Sequence, residues 1–373
     1  MSTETLSRGS QDNQGHNQGR EQGHGQNQGA DQQAAGLLAR ARAIVDPALR
    51  TAVDGMPESM ARVAAYHFGW READGSPSAA DPGKAIRPAL VLAAAEACAG
   101  RGADEALARG AVRAAASVEL VHNFTLLHDD VIDRDDTRRH RLTAWRVFGS
   151  TEAILAGDAL HSLALRTLAE DGHPAAGDAM RRLADCVVEL CAGQQADCAF
   201  EQRSTVSLDE CLAMAEAKTG ALLGAACAIG ALYGGADQQA ARAMDAFGRE
   251  IGLAFQLIDD LIGIWGDPAV TGKPAGADLL VRKKSLPVVA ALGSGTAAGA
   301  ELAAIYALDR PLTEAEVKLA ADAVERAGGR AWAQGASCER MAAALEHLAV
   351  AVPDPAATDD LLALAELVTR RNR

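Results

Sequence analysis

Two groups of aspartates, each closing an apolar stretch, carry the first chemistry legible in the chain. The first is Asp129, Asp130 and Asp133, in LLHDDVIDRDDTRR. On a helix, Asp129 and Asp133 lie one turn apart and share a face. Like charges at that spacing repel, and ordinary folding does not ask for them after the apolar run 124–127. A hard divalent cation removes the conflict. Carboxylate oxygens are the ligands Mg2+ prefers, and Mg2+ held by few carboxylates keeps positions open for phosphate oxygens. The second group, Asp259 and Asp260 in FQLIDDLIGIWGD, also ends an apolar segment. Either alone could be a solvated acidic helix end. Together they read as the acidic mouth of one pocket, apolar below, suited to Mg2+ and a diphosphate with a hydrocarbon tail.

The cations fit that reading. The chain has 373 residues and a formal charge of -14, which excludes a nucleic-acid binder relying on general basicity. Its Lys and Arg residues matter by position. Lys84 and Arg87 stand in GKAIRP, Arg138 and Arg139 follow the first aspartates, Lys218 stands in AKTG, and Lys273 and Lys283 follow the second group. Arg offers a planar fork to phosphate oxygens and Lys a point charge. Any one of them alone reads as a solvated surface cation.

The elements that must position these groups are helices. Hydrophobic residues make up 49% and aromatics 3%, so the core is built from Ala, Leu, Val and Ile. Ala and Leu favour helix, and no long stretch alternates as strands do. The pattern predicts an all-α fold, a single large bundle around a central apolar pocket. The helices fall near 37–52, 55–68, 84–99, 103–133, 151–170, 174–199, 207–233, 237–264, 282–293, 297–308, 312–327, 329–349 and 355–371. Gly/Pro/Asp clusters separate them. One domain over 35–373 is expected, after a Gln/Gly-rich tail, 1–34, too polar to offset its ordering entropy. That tail reads as unstructured, or as a docking peptide for a partner or an enclosing assembly. The greasiest stretch, 221–233, is too short for a membrane span and is interrupted by Gly224 and Gly230. Seven cysteines, odd in number and without a CxxC pair, suit reduced thiols in the cytoplasm. The N-terminal residues lack the layout of a secretory signal.

At these motifs the sequence resembles the trans-isoprenyl diphosphate synthase (polyprenyl synthetase) family, by motif over residues 80–295. GKAIRP is similar to the family's GGKxxRP, which implies Lys84 and Arg87 on isopentenyl diphosphate; His122 matches a family histidine on the same substrate. DDVID resembles the first aspartate-rich motif, with Asp129 and Asp133 as metal ligands. The RR after it implies Arg138 on the allylic diphosphate and Arg139 on the isopentenyl one. AKTG implies Lys218 and Thr219 on the allylic diphosphate. FQLIDD with the following GKPAGADLLVRKKSLP implies Gln256, Lys273 and Lys283 in diphosphate-binding positions, and Asp259 as the main metal ligand of the second motif. Three positions depart from the pattern. Gly263 stands where the second motif has its last aspartate, which leaves Asp267 as a helper through water. His140 and Leu142 replace a glycine and a proline, and Pro82 replaces a glycine.

The resemblance implies a prenyltransferase that joins isopentenyl diphosphate to an allylic diphosphate (dimethylallyl, geranyl or farnesyl), with a homodimer as partner state. A terpene cyclase would need no isopentenyl site, and Lys84 and Arg87 favour elongation. A catalytically silent subunit would not need both aspartate groups. Chain length is read from Phe124 and Thr125, five and four residues before Asp129. Thr125 leaves the upper pocket open, while the Phe124 ring would form the floor or pack in the core. A lone aromatic five before the motif resembles the twenty-carbon synthases, so geranylgeranyl diphosphate is expected, with farnesyl diphosphate as the alternative. The basic end, 370–373, is expected to close over the diphosphates or to be a solvated terminus.

Overall fold

The structure, a computed structural model, describes residues 12–80, 83–100, 110–268 and 275–369, with side chains from residue 32 onward. The basic end 370–373, Lys273 and Pro82 lie outside the described residues, as do residues 1–11 of the segment read as a tail.

The chain runs through sixteen described α-helices. The first half is α1 (Asp12–Asp54), α2 (Glu58–His67), α3 (Ile86–Ala99), α4 (Val112–Ile132), α5 (Ala144–Phe148), α6 (Ser150–Ala169), α7 (Ala176–Gln202) and α8 (Leu208–Ala215). The second half is α9 (Ala221–Tyr233), α10 (Gln238–Trp265), α11 (Ala277–Leu280), α12 (Leu286–Leu292), α13 (Ala297–Tyr306), α14 (Glu314–Arg326), α15 (Gly329–Ala351) and α16 (Asp359–Thr369). The helical expectation holds. Two features lay outside it. A two-stranded hairpin, β1 (Thr137–Arg138) and β2 (Arg141–Leu142), follows the first aspartate group. A π-turn, Glu216–Gly220, joins α8 to α9.

α1 spans Asp12–Asp54 and so begins within the segment read from composition as a tail.

Every residue of α9 is buried, as suits a helix apolar on all sides. Its glycines bring neighbours close: a Cβ on Gly224 would fall 2.8 Å from the Asp245 carbonyl oxygen of α10, and one on Gly230 would strike the backbone of α3. Leu208–Tyr233 is the one described stretch long and apolar enough to cross a membrane, but its α9 portion is the centre of the bundle. Small side chains give this core its close packing. The largest fully buried ones include Tyr233, Phe247, Leu90 and Leu120.

Capping fixes the ends that matter to the site. Ser207 and Glu210 form a reciprocal capping box that starts α8, whose axis runs into the π-turn. Asp237 accepts from Gln239 N and Ala240 N and starts α10, the helix that carries the second aspartate group.

Candidate active site

The first aspartate group leaves α4 at its C-terminal turn, with Asp133 as the capping residue. The free carbonyls of a helix C-terminus disfavour negative charge, so three carboxylates there are doubly unfavourable without a cation. A cavity of about 550 Å³ opens beside them, between α3, α4, α7, the π-turn, α10 and residues 283–286. Asp129 and Asp133 enter it from α4, and Asp259 from α10. Burial pushes the Asp129 carboxyl up to about 6; Lys218 pulls against that and Asp133 adds to it. Burial raises Asp133 as well.

The second aspartate of each pair does something else. Asp130 is only 1% exposed and is absent from the cavity lining. Arg138 Nε donates to its Oδ1 at 2.6 Å. Asp260 is 3% exposed, and both its oxygens are engaged: Oδ1 accepts from Gln256 Nε2 at 2.9 Å and Oδ2 from Leu286 N at 2.9 Å. Leu286 opens α12, so Asp260 satisfies an amide that the helix cannot. Asp130 and Asp260, expected as metal ligands, are held by protein partners in this structure. One oxygen of Asp130 holds Arg138 and both oxygens of Asp260 hold Gln256 and the start of α12, while Asp129, Asp133 and Asp259 line the cavity.

The cations gather as the spacing implied. Lys84, Arg87, Arg138, Arg139, Lys218 and Lys283 all line the cavity. Arg87 donates to His122 Nε2 at 3.1 Å, and burial followed by Arg87 holds the imidazole well below its usual pKa. His122 is therefore neutral, and it steers the guanidinium by accepting from it. Arg139 lies over Gly83: a Cβ there would fall 2.6 Å from an Arg139 nitrogen, and Gly83 has φ +95°. Only glycine suits that position. Lys218 sits in the π-turn and donates to Asp197 Oδ2 at 2.6 Å. Thr219 donates to Gln256 Oε1 at 2.8 Å, so Thr219, Gln256 and Asp260 form one line of hydrogen bonds. Burial opposes the charge of Lys283, but Asp260, Asp278, Asp197 and Asp259 together hold it protonated.

Asp197 was not foreseen. The available signal was a polar stripe on α7, with Gln194, Asp197 and Glu201 spaced three and four apart on one helix face. Phe124 differs from expectation too. Thr125 lines the cavity and Phe124 does not. The Phe124 ring packs edge-on to His128, centroids 4.8 Å apart, and lies 5.3 Å from His161 of α6. It stands behind the wall that Thr125 presents.

Backbone strain collects here. Among the described residues, the non-glycine residues at positive φ are Ala85, Arg134, Arg139, His140 and Arg282, all in segments flanking the cavity. Arg139 and His140 form the hairpin turn with φ 50° and 61°, the left-handed pair that a two-residue turn of this kind demands. Such residues cost about 1–3 kcal/mol each and persist where the surroundings fix them.

The donor set fits Mg2+. Asp129, Asp133 and Asp259 present hard oxygens to one cavity, and the raised Asp129 carboxyl shows what an unpartnered charge costs there. Among the described residues no three carboxylates or imidazoles already converge on one point.

Comparison with known proteins agrees with the geometry. The model of the polyprenyl synthetase family matches residues 76–324. Geranylgeranyl diphosphate synthase of Mycobacterium tuberculosis (strain ATCC 25618 / H37Rv) is 49% identical over 336 residues, covering 90% of this chain and 93% of that one. A (2E,6E)-farnesyl diphosphate synthase of Mycobacterium bovis (strain ATCC BAA-935 / AF2122/97) is 45% identical over 341 residues, covering 90% and 92%. The crystal structure of polyprenyl synthetase from Streptomyces coelicolor A3(2) superposes with a TM-score of 0.84 at 47% identity, covering 89% of this chain and 98% of that one.

Proposed function

This chain belongs to the polyprenyl synthetase family and is a prenyltransferase, and from that premise we propose that it makes chiefly geranylgeranyl diphosphate with Mg2+ as cofactor. The observation that carries the reading is the meeting of Asp129, Asp133 and Asp259 with seven cationic side chains around one cavity that also has an apolar portion, Leu126, Leu190, Leu223 and Phe255 among it. Asp129, Asp133 and Asp259 would hold the metal, and when bound it supplies charge neutralisation for the departing diphosphate.

The chain's own residues do the rest. Lys218, Thr219, Gln256 and Arg138 grip the allylic diphosphate, with Lys283 beside them. Lys84, Arg87, His122 and Arg139 hold isopentenyl diphosphate. The allylic carbon–oxygen bond breaks and its electron pair leaves with diphosphate. The isopentenyl double bond attacks the allylic cation, forming a carbon–carbon bond, and the proton lost from the adjacent carbon passes to the released diphosphate. Leu126, Leu190, Leu223 and Phe255 line the same cavity and exclude water, which would otherwise capture the cation.

Length is set below Thr125. Its small side chain lets a chain pass the first turn beneath Asp129, and the Phe124 ring, braced by His128 and His161, blocks the space behind. Replacing Phe124 with Ala is expected to lengthen the products, read by mass. An active variant with an unmoved product distribution would remove Phe124 as the floor and with it the physical basis for twenty carbons. The farnesyl diphosphate synthase relative keeps the fifteen-carbon product as the second reading.

A homodimer is part of this reading, supported by exposed apolar side chains. Ile154 (39% exposed) and Leu155 (43%) on α6 and Val188 (71%) on α7 present apolar side chains to solvent on two adjacent helices. A second copy would cover them. Light scattering that gives a monomer mass at micromolar concentration would contradict this. All seven cysteines are unpaired, which suits a reducing, cytoplasmic setting.

A further inference from the structure

Arg138 and Arg139 line two cavities at once. They border the large cavity of the candidate active site, and they also border a chamber of about 20 Å³ behind the hairpin. The pair is the wall between the two. Whatever fixes that wall from behind fixes the guanidinium groups that meet the diphosphates.

Two residues of the small chamber, His67 and Asp130, each carry a buried polar atom that has no hydrogen-bond partner among the described residues: His67 Nε2 and Asp130 Oδ2. Asp130 is 1% exposed, and its other oxygen accepts from Arg138 Nε at 2.6 Å. His67 is the last residue of α2. That helix end is tied to β2, because Tyr66 OH donates to Leu142 O at 2.8 Å and Arg141 Nη1 donates to Tyr66 O at 3.0 Å. Burial, and then Arg139, Arg138 and Arg141, hold the His67 imidazole down to about 3, so the ring is neutral. Buried polar groups left unpaired are costly, and an ordered water is a common partner where protein groups do not reach. A water needs about 10–15 Å³ and two to four polar partners. The chamber has room for one. Asp130 Oδ2 can accept from it, and a ring nitrogen suits it in either tautomer, since water both donates and accepts.

We propose that one buried water bridges His67 Nε2 and Asp130 Oδ2, and that His67 is thereby a positioning residue for the arginine pair. The bridge fixes the second oxygen of the carboxylate whose first oxygen aims Arg138. His67 does not line the large cavity, so its effect passes through Asp130. The proposal rests on the reading above in which Arg138 grips the allylic diphosphate. It accounts together for two orphaned atoms on different helices, α2 and α4, that border one chamber.

The test has a structural and a kinetic arm, both on the full-length protein. A high-resolution crystal structure of the wild type is expected to show one ordered water within about 3.2 Å of both atoms. A dry chamber would overturn the proposal. In the kinetic arm, wild type, His67→Gln, His67→Phe and Arg138→Ala are compared with geranyl diphosphate as the varied substrate, and thermal melts establish folding. Gln places an amide near the position of Nε2 and can hold the water; Phe keeps a ring there and cannot. The expected result in His67→Phe is a Michaelis constant for geranyl diphosphate raised about tenfold, with kcat within about threefold of wild type. His67→Gln should bring the constant back to within about threefold of wild type. An unchanged constant in a folded His67→Phe, when Arg138→Ala raises it, would overturn the proposal. So would His67→Gln no better than His67→Phe. If Arg138→Ala leaves the constant unchanged, the assignment of Arg138 to the allylic diphosphate falls instead, and the crystal still decides the bridge. Should His67→Phe not fold, the crystal decides alone.

Discussion

The two aspartate groups look alike in sequence and are built differently. At the end of α4, both cavity-facing carboxylates, Asp129 and Asp133, come from one helix, four residues apart. At α10 Asp259 and Asp260 both line the cavity, but the oxygens of Asp260 are held by Gln256 and Leu286 N. In both groups the second aspartate is held by the protein: Asp130 lies outside the cavity against Arg138, and Asp260, at the cavity's edge, pins the first amide of α12. An adjacent Asp-Asp pair thus divides into one carboxylate proposed for the metal and one strut. Residues next to each other on a helix point about 100° apart, so one lattice cannot aim both at the same ion.

That division of labour predicts unlike failures. Asp129→Ala and Asp259→Ala should each lower turnover at least ~100-fold, or ~3 kcal/mol of barrier, with helical content and melting temperature kept. Circular dichroism and steady-state rates at saturating magnesium check this, and near-normal activity in either variant would break the comparison. Asp260→Ala should fail the other way. It leaves the buried Leu286 amide without its acceptor, so about 1–3 kcal/mol of stability should be lost, read by chemical denaturation, with activity falling as a consequence.

A smaller effect sharpens the same contrast through pH. Asp129 binds its proton more tightly in the folded chain (about 6) than unfolded (3.8). Unfolding then releases a proton, so this group's contribution falls as pH rises from about 4 to above 6, until a cation offsets it. Asp129→Asn removes the term. Without magnesium, the variant should be more stable than wild type by ~1–2 kcal/mol at pH 7.5, with the gap closing near pH 4. A gap independent of pH would show that the carboxylate is not the cause.

The smallest effect concerns the hairpin that carries Arg138 and Arg139. His140 is exposed and held at φ 61°, where glycine is at ease. His140→Gly should raise stability by ~0.5–1 kcal/mol in thermal melts without changing the products. A loss of stability would mean that the imidazole makes a contact worth more than the strain.

Much of this was legible in the residues, for physical reasons that also mark the limit. The helices were readable because Ala- and Leu-rich segments with polar breaks have few alternatives. The cavity residues were readable because charge placed against apolar runs has to be explained. Spacing shows which side chains share a face; it does not show which neighbour claims them. Asp130 and Asp260 were therefore taken for ligands, when Arg138, Gln256 and Leu286 N hold their oxygens. Spacing likewise did not show that Phe124 stands behind Thr125, its ring against His128 and His161, while Thr125 alone of the two lines the cavity. The hairpin 137–142 escaped notice because its turn uses Arg139 and His140 where a glycine would have signalled it. Asp197 escaped because its role exists only once the π-turn brings Lys218 to it.

The most direct measurement is the product itself. Full-length protein is incubated with isopentenyl diphosphate and, separately, dimethylallyl, geranyl and farnesyl diphosphate, with magnesium or with a chelator, and the products are identified by mass. The account predicts geranylgeranyl diphosphate as the main product from all three allylic substrates, and none with chelator. Accumulation of farnesyl diphosphate without further extension would contradict the chain length. Condensation undiminished by chelator would contradict the role given to the aspartates.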